Sequence, residues 1–318
     1  MARIAGVSTA TVSRSLSAPS VVAQDTRSRV ESAIAQTGYI ANSAAQMLRR
    51  QEARTVLVAV PDLGNTFFSE LISGMEAVAR QSGVAVLVAD VPRDPSAGKR
   101  LVEVLNAGRA DGALLLHGAM LPGKGGQWTA VTVCEELSRP TPNTTHVGID
   151  NTAAAREATE HLVERGHRRI VHLAGPANTI LTRQRKAGYE VAMRQAGLKA
   201  TYASGDFSTA SGFTAAKAMA QGELPDAVFC ANDEMALGLL NGFAAHGVRV
   251  PDAVSVIGFD DIAAAPWSHP TLSTVHQPRR EMGSLAMERL LSELQGDAPA
   301  ERIVLPHRVV PRQSVANR

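Results

Sequence analysis

Between residues 55 and 261, short aliphatic runs alternate with longer stretches whose apolar positions recur at helical spacing. VLVAVP (56–61), VAVLVAD (84–90), DGALLLH (111–117), THVGID (145–150), RIVHLAG (169–175), DAVFCAND (226–233) and AVSVIGFDD (253–261) read as strands. Segments 68–81, 97–107, 152–164, 183–195 and 234–245 read as the helices between them. Near-continuous Val, Leu and Ile predict strands buried on both faces, hence parallel sheets with helices on each side. Two such blocks predict two lobes. Open sheets of this kind bind ligands outside the carboxyl ends of their strands. The candidate pocket is therefore 62–68, His117, Asp150-Asn151, 175–182, Asn232-Asp233 and Asp260-Asp261. Phe67 and Phe68, after Asn65, fall where an aromatic face could stack on a sugar or base, with one of the two expected in the core.

Residues 1–54 have a different texture. In ARIAGVSTATVSRSL (2–16), Gly6 suits a tight turn at positive φ after a first helix, and Ser8 suits the N-cap of a second. Ala2, Gly6 and Val12 stand in the A-x3-G-x5-V spacing of a helix-turn-helix. The small residue lets the helices approach, Gly makes the turn, and Val plugs the space between them. The second helix then exposes Thr9, Ala10, Ser13 and Arg14, flanked by Ser8 and Thr11. Short polar groups plus one long donor are how a recognition helix addresses base edges and phosphates. An ordinary helical hairpin is the competing reading. A third helix opens at Asp25-Thr26-Arg27, sets Val30, Ala33 and Ile34 on one face, and stops at Gly38. Tyr39-Ile40-Ala41-Asn42 then leads into SAAQMLRRQ, an Ala-rich stretch too short to be a stable helix alone.

Composition narrows the class. Of 318 residues 45% are hydrophobic, ample for a sizeable core, and only 4% are aromatic, which leaves that core to aliphatic packing. Cys134 and Cys230 cannot supply a disulfide framework or a four-cysteine zinc site, and both read as small core residues. No apolar run approaches the ~20 residues that cross a bilayer. MARIAGVSTATVSRSLSA lacks an apolar signal-peptide core, so a cytoplasmic protein with no membrane partner is expected. The net charge of +2 conceals a split: seven arginines against Asp25, Glu31 and Glu52 give residues 1–54 a charge of +4, leaving −2 for the rest. A basic head on a slightly acidic body is the asymmetry of a small module that meets nucleic acid.

VSTATVSRSL, TRSRVESAIAQTGYIANSAAQMLRR, DNTAAAREATEHLVERGHRRIVHLAGP, TRQRKAGYEVAM, DAVFCANDEMALGLL, VPDAVSVIGFDDI and LSTVHQPRREMG together resemble the LacI/GalR family of bacterial transcription regulators, nearly end to end. The resemblance implies an α/β fold: a two-lobed periplasmic-binding-protein-like sensor, parallel sheets flanked by helices, with an N-terminal all-α helix-turn-helix head. It places the head at 1–41, a hinge helix and linker at 42–54, and the effector-binding body at 55–318. Lobe 1 would take about 55–147 and 277–304, and lobe 2 about 148–276 and 305–318. In the family the hinge helix pairs with its dimer mate and a leucine wedges the minor groove open, which implies DNA contacts for Leu48 and Asn42. Arg185 matches an arginine used against ligand oxygens, and Asp260 a carboxylate that accepts ligand hydrogens. Asn232 and Phe207 match cleft-lining positions, and Thr179 and Leu181 match positions that select the ligand.

Two departures stand out. Met1 sits where family members have a valine with further residues before it, which predicts a start codon upstream and a first helix lacking its front half. Ala23 stands where a helix-capping Ser is common. The expected protein is a homodimeric regulator, a repressor, with operator DNA and a sugar or nucleoside effector as partners and no cofactor. The competing class is a sugar-binding protein, cytoplasmic or exported, without DNA function. An enzyme is not expected. The G-x4-G-K spacing from Gly118 to Lys124 is followed by Gly125, where a phosphate loop needs Ser or Thr, so a surface loop is predicted. His161 and His167 flank Glu164 without the H-E-x-x-H order of a zinc site.

Overall fold

The structure, a computed structural model, describes residues 1–17, 19–39, 53–91, 97–118, 128–137, 144–297 and 299–318. The chain divides into two compact units, Met1–Glu52 and Ala53–Arg318.

The first unit is helical: α1 (Ala2–Ala5), α2 (Thr9–Ser17), a 3-10 turn (Pro19–Val21) and α3 (Gln24–Thr37). Gly6 ends α1 at φ 62° and Gly38 ends α3 at φ 59°, the left-handed region that glycine enters without steric cost. Ser8 Oγ accepts the Thr11 N–H at 3.1 Å at the start of α2. Ala23 caps α3 with no side-chain bond, as expected of an alanine there. Ala5, Val12, Val30 and Ala33 form the buried core, with Ala2, Leu16 and Ile34 packed around it. So small a core needs polar help. Arg29 supplies it by donating to the carbonyls of Ala5 (2.7 Å) and Gly6 (3.0 Å), the last residue and the cap of α1, which have no helical partner.

The second unit holds two parallel sheets. The larger runs in the order β11-β5-β4-β3-β1-β2 and the smaller β7-β6-β8-β9. The larger contains β1 (Thr55–Val60), β2 (Ala85–Asp90), β3 (Gly112–Leu115), β4 (Thr129–Val133), β5 (Thr145–Ile149) and β11 (Arg302–Leu305); the smaller contains β6 (Ile170–Ala174), β7 (Thr201–Ser204), β8 (Ala227–Cys230) and β9 (Ser255–Ile257). A third, antiparallel pair joins β10 (Thr274–His276) to β12 (Arg308–Val310). The helices are α4 (Phe67–Gln81), α5 (Ala97–Asn106), α6 (Asn151–Glu164), α7 (Ile180–Gln195), α8 (Thr209–Ala220), α9 (Asp233–Ala245) and α10 (Arg279–Gln295).

In β1, Val56, Val58 and Val60 enter one hydrophobic cluster while Leu57 and Ala59 enter another, so helices cover both faces. The expectation of burial on both faces fails at β2. That strand is the sheet edge, paired only with β1, and Leu87 and Val88 are exposed. Helix α10 returns the chain to the larger sheet and packs on α4 through Gly74 and Gly283. A Cβ on either would lie 2.1 Å from a backbone oxygen of the other helix, so only glycine permits this approach.

Candidate functional site

On the head, Ser8, Thr9, Ala10 and Arg14 are exposed at the start and along one side of α2, and Thr11 and Ser13 are half-buried beside them. Ser8 and Thr11 also bond each other through their hydroxyls at 2.9 Å. Not all of the basic charge is available to a polyanion. Arg29 holds the α1 carbonyls and Arg27 pairs with Glu31 at 3.0 Å, which leaves Arg3 and Arg14 as the exposed arginines of α1 and α2. Asn42 and Leu48 lie outside the described residues, as does most of the loop that follows Gly118.

In the second unit the carboxyl ends of the two sheets face a shared cleft of about 320 Å³. From the larger sheet come Pro61 and Asp62 after β1, Leu116 after β3 and Cys134 after β4, with Asn65, Phe67 and Phe68 at the start of α4. From the smaller come Asp206, Phe207 and Ser208 after β7, Asn232 after β8 and Asp260 after β9, with Leu181 and Arg185 on α7.

Arg185 and Asp260 form the charged floor. Both are nearly inaccessible, and Arg185 Nη1 lies 3.7 Å from Asp260 Oδ1. Arg185 also donates Nε to Asn151 Oδ1 at 3.0 Å and Nη1 to the Ala231 carbonyl, and its guanidinium lies 3.7 Å from the centroid of the Phe259 ring. Asp260 has φ 122° and accepts from Gln277 Nε2 at 2.7 Å. Burial pushes its carboxyl up to about 6, against the pull of Arg185. Burial lowers Arg185, opposed by Asp260. A desolvated cation beside a carboxylate offers donors and an acceptor to a hydroxyl-rich molecule.

The walls are aromatic. Phe67 and Phe68 meet edge to face, 5.1 Å between centroids, and both belong to the core while lining the cleft. The expectation that only one would be core is corrected: α4 begins at the cleft mouth, so its first two side chains reach the core and the cleft together. Asn65 Oδ1 accepts the Phe67 N–H at 2.9 Å, fixing that helix start. Opposite, Phe207 has φ 72°, held by Asn232, whose Nδ2 donates to the Phe207 carbonyl at 2.9 Å while its Oδ1 caps Met235 N–H at 3.0 Å. A Cβ on Gly175 would lie 2.3 Å from Phe207 Cζ, so glycine there makes room for the ring.

Thr179 is placed apart from the lining. It is buried as the N-cap of α7, its Oγ1 accepting the Thr182 N–H at 3.2 Å. Other strand-end candidates also have internal tasks: Asp150 caps α6, Asn151 holds Arg185, and Asp233 accepts from Thr274 Oγ1 (2.6 Å) and Ile262 N–H (2.9 Å). Asp261 takes Arg312 at 2.7 Å and His276 at 2.8 Å. Leu116, Cys134, Asp206 and Ser208 also line the cleft, outside the residues expected there from the sequence. Cys134 belongs to the core, as expected, and also lines the cleft, because TAVTV forms β4 and the next residue falls at the strand's carboxyl end. Asp206, directly before Phe207 and after a strand with no counterpart in the sequence pattern, accepts the Ser208 N–H at 2.9 Å. Among the described residues no cluster of three His, Cys, Asp or Glu could hold a metal ion, and no helix is long and apolar enough to cross a membrane.

A helix-turn-helix head on the same chain as a two-lobed domain with a ligand-sized cleft defines a ligand-responsive transcription regulator. Residues 1–42 match the bacterial regulatory proteins of the lacI family, and residues 159–315 the periplasmic binding protein-like domain. The chain is 40% identical to the HTH-type transcriptional repressor CytR of Escherichia coli (strain K12), over 92% of its own length and 88% of that protein. It is 32% identical to the ribose operon repressor of the same strain, over 92% of each. It superposes on the lac repressor dimer bound to operator and the anti-inducer ONPF with a TM-score of 0.87 and 32% identity, covering 99% of this chain and 97% of that one. The chain belongs to the LacI family of bacterial transcription regulators.

Proposed function

We propose that the protein is a homodimeric repressor whose hold on operator DNA is set by a sugar or nucleoside bound between the lobes. The observation that carries this reading is the cleft: about 320 Å³, aromatic on both walls, with a buried Arg185–Asp260 pair at its floor. That volume is at the small end for ligand sites and suits one sugar or nucleoside. Ring faces of Phe67, Phe68 and Phe207 would pack on the flat side of the ligand while Arg185 and Asp260 address its hydroxyls. Asn65, Leu181 and Asn232 complete the ligand set, and Thr179 acts through the helix it caps.

On the head, Thr9, Ala10 and Arg14, with Ser8, Thr11 and Ser13, would face the major groove, and Asn42 and Leu48 the minor groove. Dimer symmetry would match two heads to two half-sites. A ligand that binds the closed lobes better than the open ones shifts their equilibrium and, through residues 42–54, the hold on DNA. No enzymatic role is assigned, and the site of action is the cytoplasm. The test is a thermal-shift screen of pentoses, hexoses and nucleosides, followed by operator titration with each molecule that stabilises the protein. A molecule that binds only the native state raises its stability. Ligands that raise stability without altering operator affinity would refute the regulator, and operator affinity unchanged by deletion of residues 1–50 would refute the DNA assignment.

A further inference from the structure

Two carboxylates reach across the cleft in opposite directions. Glu135 follows Cys134 at the end of β4, on the larger-sheet lobe, and is 3% exposed. Its Oε1 accepts the Ile180 N–H of the other lobe at 2.9 Å. Ile180 is the first residue of α7, whose leading N–H groups have no helical partner. Thr179 takes the Thr182 N–H, and Glu135 takes that of Ile180, so the helix start is capped half from its own lobe and half from the opposite one. A carboxylate there is also favoured by the positive end of a sixteen-residue helix.

At the other rim the donor and acceptor lobes are exchanged. Glu234, in the first turn of α9 on the smaller-sheet lobe, accepts from Thr66 Oγ1 of the larger-sheet lobe at 2.9 Å. Its second oxygen accepts from Thr209 Oγ1 at 2.8 Å, which holds the side chain pointed at the cleft mouth. Each latch neighbours a lining residue in sequence: Cys134 beside Glu135, Leu181 beside Ile180, Phe67 beside Thr66. Parting the lobes breaks both bonds together.

We propose that Glu135 and Glu234 are reciprocal latches that hold the lobes closed over the cleft before any effector enters. The inference builds on the cleft being the effector site, but it concerns the ligand-free protein and is tested there. Because apparent affinity scales with the fraction of protein in the binding-competent state, the latches set effector sensitivity without touching the effector.

Hydrogen exchange on the full chain, with no ligand added, tests this in Glu135→Ala, Glu135→Gln and Thr66→Val. Exchange is read at 64–71, at 180–182, and at 112–115 within β3 as a control for global unfolding. Glu135→Ala is expected to speed exchange about tenfold at both rims, including 64–71, and Thr66→Val about threefold at both, including 180–182. Glu135→Gln keeps an acceptor oxygen and is expected to fall between wild type and Glu135→Ala. Faster exchange confined to the substituted rim in Thr66→Val overturns the proposal. Thr66 is exposed, so this variant carries the test even where loss of the buried Glu135 unfolds the chain.

Discussion

Replacing Asp260 with Asn isolates the charge at the floor of the cleft. The substitution conserves volume, and an asparagine tolerates a positive φ such as the 122° found here better than most residues. Its amide oxygen can still accept from Gln277, which bonds Asp260 at 2.7 Å. What changes is titration. Burial raises the Asp260 carboxyl from 3.8 to about 6 in the folded protein. A group raised on folding contributes stability that is complete below its unfolded value and is lost as pH rises through its folded value. Between those limits the loss approaches ~3 kcal/mol, since each tenfold change in proton affinity is worth about 1.4 kcal/mol. About 1 kcal/mol of it has gone by pH 4.5 and nearly all by pH 7. Arg185 keeps its bonds to Asn151 and Ala231 in the variant, and its attraction for the ionised Asp260 is already part of the balance that leaves the carboxyl near 6. The difference in unfolding free energy, variant minus wild type, should therefore rise by about 2 kcal/mol from pH 4.5 to pH 7. Urea denaturation at both pH values, with equal slopes in the two proteins, measures it. A difference that stays flat across this range would show that Asp260 does not titrate near 6 and that its burial is not felt as described. The same variant should lose stabilisation by whichever sugar or nucleoside raises the wild-type melting temperature.

Arg14→Ala should weaken operator binding on all sequences while leaving the melting temperature unchanged, and the slope of log affinity against log salt should become shallower by about one; an unaltered slope would remove Arg14 from the phosphate contacts. Arg29→Met should destabilise the head by about 1 kcal/mol, because the Ala5 and Gly6 carbonyls lose their donor. Circular dichroism of the helical signal on heating would show it, and an unchanged melt would mean that water replaces the guanidinium fully. Gly175→Ala should displace the Phe207 ring, with a cost of about 1–3 kcal/mol from overpacking and weaker effector binding. Full stability together with full ligand response would mean that the ring moves aside without consequence.

The first six strands in the sequence reading each coincide with an observed strand to within a residue or two at most ends, because buried parallel strands must be continuously apolar and few other elements are. TAVTV at 129–133 shows where that signal thins: two threonines dilute a strand that is nonetheless buried, Thr132 being held by His146. With β4 absent from the reading, Cys134 and Glu135 lost the strand end that places them at the cleft. The head was legible for the opposite reason. Gly6 and Gly38 both sit at positive φ, and Ser8 caps the helix it precedes, so local chemistry settles the turns before packing acts. In the sequence Arg29 is one more positive charge; only packing of α3 against the end of α1 turns it into a structural donor.

Sequence by itself determined the class of elements, the split into a basic head and an α/β body, and the family. Those depend on hydrophobic period, turn chemistry and motif spacing, all local in the chain. The tertiary structure alone decided which strand ends share a cleft, that Thr179 serves as a cap, and that Asn232 works by holding Phe207. It alone decided that Glu135 and Glu234 meet donors on the opposite lobe. The reason is separation: Glu135 and Ile180 are 45 positions apart in the chain, and Thr66 and Glu234 are 168 apart. No periodicity in the chain spans such distances. Only the order of strands in two separate sheets brings those side chains within a hydrogen bond.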